Sequence, residues 1–167
     1  IPVCVSQSGQ RLLREDAVNA LRWHILPKAD LLTPNRPEAE LLADMKIDSE
    51  KDIDVAARKR PRYGPRRPHQ GGHFGSASDA EFTDWLALPD EPLIALKQPG
   101  VKTSNNHGTG CTLSAAIATY LGLGLGIRDA IVHAQKFLNH CLRHGYAPGL
   151  GAGPPNHASW IAKRVGE

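Results

Sequence analysis

Short apolar runs alternate with longer amphipathic stretches along the first part of this chain. Residues 2–5 are apolar and partly β-branched, as in a short buried parallel strand. From residue 11 to residue 26 apolar side chains recur at helical spacing, which predicts a helix. Residues 29–33 predict a second short strand, and Pro34 ends it because proline cannot donate a backbone hydrogen bond.

The same alternation continues to the end of the chain. Asn35 is a plausible helix cap, and the proline two positions later is tolerated in a first helical turn. Residues 93–96 predict another strand, and helical patterns run from about 112 to 121 and from about 128 to 143. Strands that alternate with helices predict a layered α/β fold with parallel strands.

The length and composition indicate an ordinary globular protein. At 167 residues the chain fits one domain, with 41% hydrophobic and 22% charged residues. No apolar run approaches the ~20 residues of a membrane-crossing helix, and no secretory signal is visible. The three widely spaced cysteines show no metal-like pairing, so we expect a reducing, cytoplasmic setting. The first residue is Ile1 rather than methionine, and we expect the true N-terminus to lie upstream.

A basic, proline-rich segment over residues 58–70 interrupts the pattern. The chain has a net charge of +3, but six of its 20 basic residues lie within ten positions: Arg58, Lys59, Arg60, Arg62, Arg66 and Arg67. Three prolines among them predict that neither a central strand nor a helix forms there. A compensated frame shift and an inserted solvated loop both account for this segment. Its single aromatic residue argues against a nucleic-acid interface.

A glycine-rich turn at residues 107–111 precedes the helix expected from about 112. Gly108 and Gly110 flank Thr109, and Cys111 follows. This order places a small turn at a helix N-terminus, where free backbone N–H groups and the helix dipole can hold an anion. Glycine lets the backbone approach a ligand closely. The turn therefore predicts a phosphate-transfer site.

The turn also carries a family resemblance. Residues 107–116, His-Gly-Thr-Gly-Cys-Thr-Leu-Ser-Ala-Ala, resemble the C-terminal signature of hydroxymethylpyrimidine and phosphomethylpyrimidine kinases in the ribokinase-like superfamily. Three further stretches resemble family segments in the same order: Ser8-Gly9 with residues 11–13, the Thr-Pro-Asn-x-x-Glu-Ala motif within 32–42, and a C-terminal tail formed by residues 147–151 with Asn156-His157. The resemblance implies a ribokinase-like three-layer α/β/α fold. The fold would be partial, a C-terminal portion over 1–167 with the N-terminal strands missing.

The resemblance also implies an activity, its cofactors and its partners. These kinases phosphorylate 4-amino-5-hydroxymethyl-2-methylpyrimidine and its monophosphate in thiamine biosynthesis, with ATP and Mg²⁺. The implied partner is therefore a small pyrimidine, with neither nucleic acid nor membrane, and superfamily members often form homodimers. A pyridoxal-type vitamin kinase is an alternative, because the pocket that distinguishes the vitamins lies largely in the missing portion.

The resemblance assigns Cys111 as the catalytic base, with Gly108, Thr109 and Gly110 as the anion cradle. The positive end of a helix dipole favours a thiolate, and a loose phosphoryl-transfer transition state demands little early deprotonation. The structural alternative is that Cys111 is a small buried side chain at a helix start. Thr109 could equally donate its hydroxyl to a ligand or only stabilise the turn.

Four further residues are implied cofactor contacts. Asn35 and Glu38 would help to hold Mg²⁺ and its waters, which suits an ion that prefers oxygen ligands. On spacing alone, Asn35 is a helix cap and Glu38 its first-turn partner, and both roles can coexist. Gly72 and His73 would contact the nucleotide, although a histidine in such a position can simply line a loop.

Three departures from the family pattern bear on activity, and one of them, Gln70, favours a rival interpretation together with the basic, proline-rich segment. Ile1 stands where the family has an acidic residue before Pro-Val, and Gln70 stands where it has a lysine before Gly-Gly-His. The third departure is the missing N-terminal half. The rival is a non-catalytic fragment or phosphate-binding remnant of such a kinase, which the intact Gly-Thr-Gly-Cys turn opposes.

Overall fold

The computed structural model describes residues 4–5, 10–59, 69–71 and 81–165, with backbone alone at 69–71 and 162–165. Three strands and six α-helices follow one another within these ranges. In chain order they are α1 (Glu15–Ala20), α2 (Arg36–Ala43), α3 (Glu50–Arg58), β1 (His69–Gly71), β2 (Glu81–Ala87), β3 (Ile94–Pro99), α4 (Thr109–Gly122), α5 (Ile127–Arg143) and α6 (Ala158–Val165). No helix in these ranges has the length and apolar character needed to cross a membrane.

The chain divides into two compact units. The first comprises Ile1–Ser76 with Phe82–Lys97, and the second comprises Ala77–Glu81 with Gln98–Glu167. The first contains α1 to α3 and the second contains α4 to α6. The three strands form one sheet in the order β1-β2-β3.

Two small apolar clusters form the core of the first unit. One contains Cys4, Val5 and Val18, with partly buried leucines packed against them. The other contains Ile47 and Ile53, and Trp85 and Leu93 pack against it. Burial of these side chains stabilises the unit because apolar surface is removed from water.

The core of the second unit lies between α4 and α5. From α4, Leu113, Ala116 and Ile117 are buried at three- and four-residue spacing, and from α5 Ile131 and Ala134 are completely buried. This spacing puts each set on one face of its helix, as expected for two amphipathic helices that pack together. The helices predicted at about 112–121 and 128–143 are confirmed, and both extend further than the pattern indicated.

Local hydrogen bonds determine where two helices in the first unit begin. Asn35 and Glu38 form a reciprocal capping box at the start of α2, and Ser49 and Asp52 form a second one at the start of α3. The helix start predicted at Asn35 is therefore confirmed. The sequence analysis missed α3, although its Ser-x-x-Asp pattern is a readable capping signal.

The predicted elements near the N-terminus are partly wrong. Within the described residues, 4–5 and 10–13 form no helix; instead Val5 pairs with Arg11 in an antiparallel bridge, and Leu12 N donates to Cys4 O at 2.9 Å. The helix predicted from 11 therefore begins only at Glu15, and a π-helical turn at Leu21–Ile25 follows α1. The strand predicted at 29–33 is reduced to one bridge residue, Leu32.

Two other expectations also need correction. The strands were expected to be parallel, but β1 and β2 pair antiparallel, with His69 opposite Ala87 and Gly71 opposite Trp85. The basic segment was expected to be irregular from 58 to 70, yet Arg58 ends α3 and residues 69 and 70 belong to β1. Residues 60–68 lie outside the described part of the chain. The strand predicted at 93–96 is confirmed as β3, displaced by one residue at its start.

Candidate functional site

The turn at Gly108 forms the N-terminus of α4. Gly108 is the N-cap and has φ 82° and ψ 11°, the left-handed conformation that glycine adopts without steric cost. A Cβ at this position would meet no atom within 4 Å, so backbone conformation rather than space requires glycine. Within the described residues no side chain caps this helix. The N–H groups of Thr109, Gly110 and Cys111 have no intrahelical acceptor, as at every helix start.

The electrostatics of this turn favour an anion. The first turn of α4 contains no acidic residue, so no carboxylate there offsets the partial positive charge of the helix N-terminus. Gly110 and Cys111 are exposed, whereas Thr109 keeps only 9% of its surface accessible. The turn can therefore present backbone N–H groups and a thiol to solvent, whereas Thr109 is buried. The structure thus brings together the four residues Gly108 to Cys111.

Residues from the C-terminal tail hold the loop that leads into this turn. His107 N donates to Gly153 O at 3.1 Å, and Gly153 N donates to the side-chain oxygen of Asn105 at 3.2 Å. Gly153 is buried, and a Cβ on it would overlap the carbonyl oxygen of Tyr146. Sequence reasoning identified this tail only as a family-like segment and missed its contact with the turn.

A second tail contact reaches the first turn of α4. Thr112 Oγ1 lies 2.9 Å from Gly108 O and 2.8 Å from Nε2 of His157. Thr112 is 8% exposed, and the backbone N–H of Thr112 also donates to Gly108 O at 2.9 Å. Sequence reasoning assigned no role to Thr112 or His157, because the two lie 45 residues apart and no local pattern links them.

Asn35 and Glu38 lie in the other unit, where they connect α2 to residues 4 and 5. Glu38 is 1% exposed, and its Oε1 accepts from the N–H groups of Cys4 at 2.9 Å and Val5 at 3.5 Å. Its Oε2 accepts from Asn35 N at 3.0 Å. The Asn35 side chain accepts from Glu38 N at 2.9 Å and donates to Val5 O at 3.0 Å.

These contacts bear on the predicted magnesium role. Both carboxylate oxygens of Glu38 and both amide atoms of Asn35 are engaged with backbone groups, so the pair as it stands does not fit direct coordination of Mg²⁺. A water-mediated role needs no direct bond to the ion and remains compatible with the capping box. Among the described residues no cluster of three or more histidine, cysteine or carboxylate side chains could hold a metal ion.

The buried carboxylate also affects a neighbouring thiol. Cys4 is completely buried, and this burial raises the pKa of its thiol. The negative charge of Glu38 raises that pKa further. The Cys4 thiol therefore stays neutral at physiological pH and behaves as a small apolar core residue.

The structure says little about the other residues that the sequence suggested as ligand contacts. Gly72 and His73 lie outside the described residues, and at position 70 only the backbone is described. His140 and His144 stack with ring centroids 4.3 Å apart, and Nδ1 of His144 lies 2.9 Å from His140 O. The two rings thus stack against each other at the C-terminal end of α5.

Comparison with known proteins is consistent with this geometry. A profile of the phosphomethylpyrimidine kinase family matches residues 2–156. A hydroxymethylpyrimidine/phosphomethylpyrimidine kinase of Haemophilus influenzae is 35% identical over 165 residues, which cover 98% of this chain and 61% of that protein. One of Synechococcus elongatus is 42% identical over 157 residues, which cover 93% and 59%. The chain thus spans about three-fifths of the length of these relatives.

The fold has a counterpart among solved structures. A pyridoxal kinase of Staphylococcus aureus in complex with AMP-PCP superimposes with a TM-score of 0.80 at 27% identity, over 95% of this chain and 57% of that one. This likeness confirms the ribokinase-like α/β fold that the sequence predicted. The profile match over residues 2–156 shows that the chain belongs to the phosphomethylpyrimidine kinase family.

Proposed function

We propose that this protein transfers the γ-phosphoryl group of ATP to 4-amino-5-hydroxymethyl-2-methylpyrimidine and to its monophosphate, in thiamine biosynthesis. The observation that carries the proposal is the uncapped N-terminus of α4, where Gly108 is left-handed and Cys111 is exposed. The two relatives described above, which are named as kinases of these pyrimidines, support the choice of substrate. The proposal places the reaction in the cytoplasm and takes a homodimer as the assembly.

The turn suits the physical demands of phosphoryl transfer. The transition state is loose, so the protein contributes mainly positioning and stabilisation of charge on the transferred group. Three backbone N–H groups at 109–111 would donate to the phosphoryl oxygens, as an oxyanion hole does in acyl transfer. Such donors are already oriented before the reaction and need no reorganisation as charge develops.

Cys111 is the base in this proposal. In the first transfer the hydroxymethyl oxygen forms the new bond to phosphorus, the bond from phosphorus to the β–γ bridging oxygen breaks, and ADP leaves. In the second transfer an oxygen of the monophosphate is the attacking group instead. The hydroxymethyl proton passes to the Cys111 sulfur. The exposed Cys111 sulfur lies at the helix N-terminus, and the loose transition state demands little early deprotonation of the hydroxymethyl group.

Mg²⁺ would bind together with ATP. Mg²⁺ neutralises phosphate charge during phosphoryl transfer. For Asn35 and Glu38 we propose a role through ordered water, since their polar atoms already bind backbone groups. Gly72 and His73 stay in the proposal as nucleotide contacts on the strength of the family resemblance.

A phosphorylation assay on the full chain tests the proposal. We expect ADP release that depends on both ATP and the hydroxymethylpyrimidine. Cys111→Ala should lower kcat by roughly 10²–10⁴-fold, the usual contribution of a general base, with little change in KM for ATP. The absence of turnover, together with unchanged nucleotide affinity in Cys111→Ala, would instead establish a phosphate-binding remnant.

Two glycine variants form a matched control for the turn. Gly108 and Gly124 have φ of 82° and 88°, and a Cβ on either meets no atom within 4 Å. Alanine at either position should therefore cost a similar ~1–2 kcal/mol of stability. Only Gly108→Ala should also reduce kcat, because only Gly108 orients the amides at 109–111. Equal loss of activity in both variants would show that the turn at Gly108 has no specific role in catalysis.

A pyridoxal-type kinase is the second candidate function. The likeness to the Staphylococcus aureus pyridoxal kinase, with its TM-score of 0.80, supports this alternative. The ratio of kcat/KM for pyridoxal to kcat/KM for the hydroxymethylpyrimidine separates the two. We expect that ratio to be well below one, and a ratio above one would assign the chain to pyridoxal.

A further inference from the structure

The contact between Thr112 and His157 fixes the hydrogen-bond donors at one point of α4. Within the described part of the chain, Thr112 Oγ1 has two polar neighbours, Gly108 O at 2.9 Å and His157 Nε2 at 2.8 Å. The threonine hydroxyl has one proton to donate, and the carbonyl oxygen of Gly108 can only accept. The hydroxyl proton is therefore directed to Gly108 O. His157 Nε2 must carry a proton of its own and donate to Oγ1.

This arrangement determines the direction of the peptide group between Gly108 and Thr109. Gly108 O accepts from both the hydroxyl and the backbone N–H of Thr112, each at 2.9 Å, so the carbonyl points into the helix. The peptide bond is planar and trans, and its C=O and N–H therefore point in opposite directions. Fixing the carbonyl thus turns the N–H of Thr109 out of the helix, towards the space that an anion would occupy.

We propose that His157 is a positioning residue for the phosphate-binding turn and acts as an Nε2–H donor through the hydroxyl of Thr112. The inference rests on the proposed function, because the turn matters for catalysis only if it receives a phosphoryl group. His157 touches no reacting atom. Its role is to prevent the Thr112 hydroxyl from rotating away from Gly108 O, which would leave the backbone N–H of Thr112 as the remaining described donor to the Gly108 carbonyl.

The position of the His157 ring is determined by α5 rather than by α4. The ring stacks on Phe137, with centroids 6.2 Å apart and planes inclined by 19°. Phe137 also meets Trp160 of α6 edge-on at 5.5 Å. The tail is further attached to α5 because Asn156 N donates to Cys141 O at 2.9 Å. Because Phe137 of α5 holds the His157 ring, the ring keeps a fixed position beside Thr112. A donor on a loop without such packing would not be held in place.

Two substitutions of His157 separate the donor from the ring. His157→Gln keeps an N–H donor at similar reach but removes the ring, whereas His157→Phe keeps a ring against Phe137 but removes the donor. We expect His157→Phe to lower kcat roughly tenfold to a hundredfold, the scale of a small misplacement of catalytic groups. KM for the pyrimidine should hardly change. His157→Gln should retain most of the activity, even where its melting temperature falls more.

Variants of Thr112 test the same link from the other side. Thr112→Val should reproduce the loss of kcat seen with His157→Phe, and Thr112→Ser should restore it. The double variant Thr112→Val with His157→Phe should lose no more than either single variant, because both interrupt one chain of hydrogen bonds. A His157→Phe enzyme with normal kcat, or variants whose kcat follows only their melting temperature, would overturn the inference.

A spectroscopic measurement tests the inference without any turnover. The ¹⁵N chemical shifts of the His157 ring in the full chain should show a protonated Nε2. The Thr109 amide resonance should shift in His157→Phe and stay near its native position in His157→Gln. An Nε2 without a proton would overturn the inference even in an active enzyme. Conversely, a wild-type chain without kinase activity but with these signals would remove the proposed function and leave the positioning geometry intact.

Discussion

Glu38 is a buried charge that bonds only to backbone N–H groups among the contacts described above. It accepts from Cys4, Val5 and Asn35 while keeping 1% of its surface exposed. Removing one partner from such a group is costly, because a buried donor without an acceptor bears its full desolvation penalty. The carboxylate is therefore a structural tie between residues 4–5 and α2, whatever part it has near a metal.

We predict that Glu38→Gln lowers the free energy of unfolding by about 1–3 kcal/mol, since the amide NH₂ group would face backbone donors. Urea denaturation measures this loss. Glu50→Gln is the matched control, because Glu50 is an exposed acidic residue in the first turn of α3 and should cost less than about 1 kcal/mol. Equal costs in the two variants would show that the backbone contacts of Glu38 contribute nothing to stability.

Single residues differ in how much of their role the sequence could indicate. Cys111 and the two glycines before it could be proposed as a phosphate site because they lie within four consecutive residues, and a Gly-Thr-Gly-Cys run before a helix has a direct physical meaning. His157 could not be assigned a role, because its contact with Thr112 depends on how α5 and the tail pack. The contacts of Glu38 with the backbone at residues 4 and 5 could not be predicted from the sequence either, because these residues lie more than 30 positions away.

At the scale of elements, capping signals predicted helix starts better than apolar spacing did. The start of α2 follows from Asn35, and the two long helices follow from apolar faces that pack together. The helix predicted from residue 11 starts late because Arg11 and Leu12 pair with the backbone at 4 and 5, a contact that periodicity cannot reveal.

The C-terminal tail is an element whose packing can be tested directly. Gly153 is buried, and a Cβ there would overlap the carbonyl oxygen of Tyr146 and crowd the side chain of Asn105. We predict that Gly153→Ala displaces the tail and costs about 1–3 kcal/mol, the usual cost of overpacking. Thermal unfolding measures this loss, and amide hydrogen exchange at His107 should become faster because its N–H donates to Gly153 O.

Gly151→Ala is the control for the tail. A Cβ on Gly151 meets no atom within 4 Å, and the residue is exposed. We expect its stability and its exchange at His107 to match those of the wild type. If Gly153→Ala were as stable as Gly151→Ala, the close packing of the tail against Asn105 and Tyr146 would not exist in solution.

At the scale of the whole molecule, each compact unit contains one fully buried thiol. Cys4 lies in the core of the first unit and Cys141 on the buried face of α5 in the second, and both keep 0% of their surface exposed. Burial raises the pKa of both thiols, that of Cys141 from 9.0 to about 11. The free energy of unfolding of each unit therefore depends on pH in the alkaline range, where its thiol ionises.

The sign of this coupling follows from which state binds the proton. Between pH 9.0 and about 11 the unfolded chain releases the Cys141 proton while the folded chain retains it, so the folded state binds more protons there. The stability that Cys141 contributes is thus fully present below about pH 9 and is lost as pH rises through about 11. We predict that urea midpoints of the wild type fall more steeply over this window than those of Cys141→Ala. The variant should be less stable at pH 7, because it leaves a small cavity, but its curve should be flatter. Parallel curves for the two proteins would contradict the prediction, because the buried Cys141 thiol would then ionise as readily in the folded state as in the unfolded one.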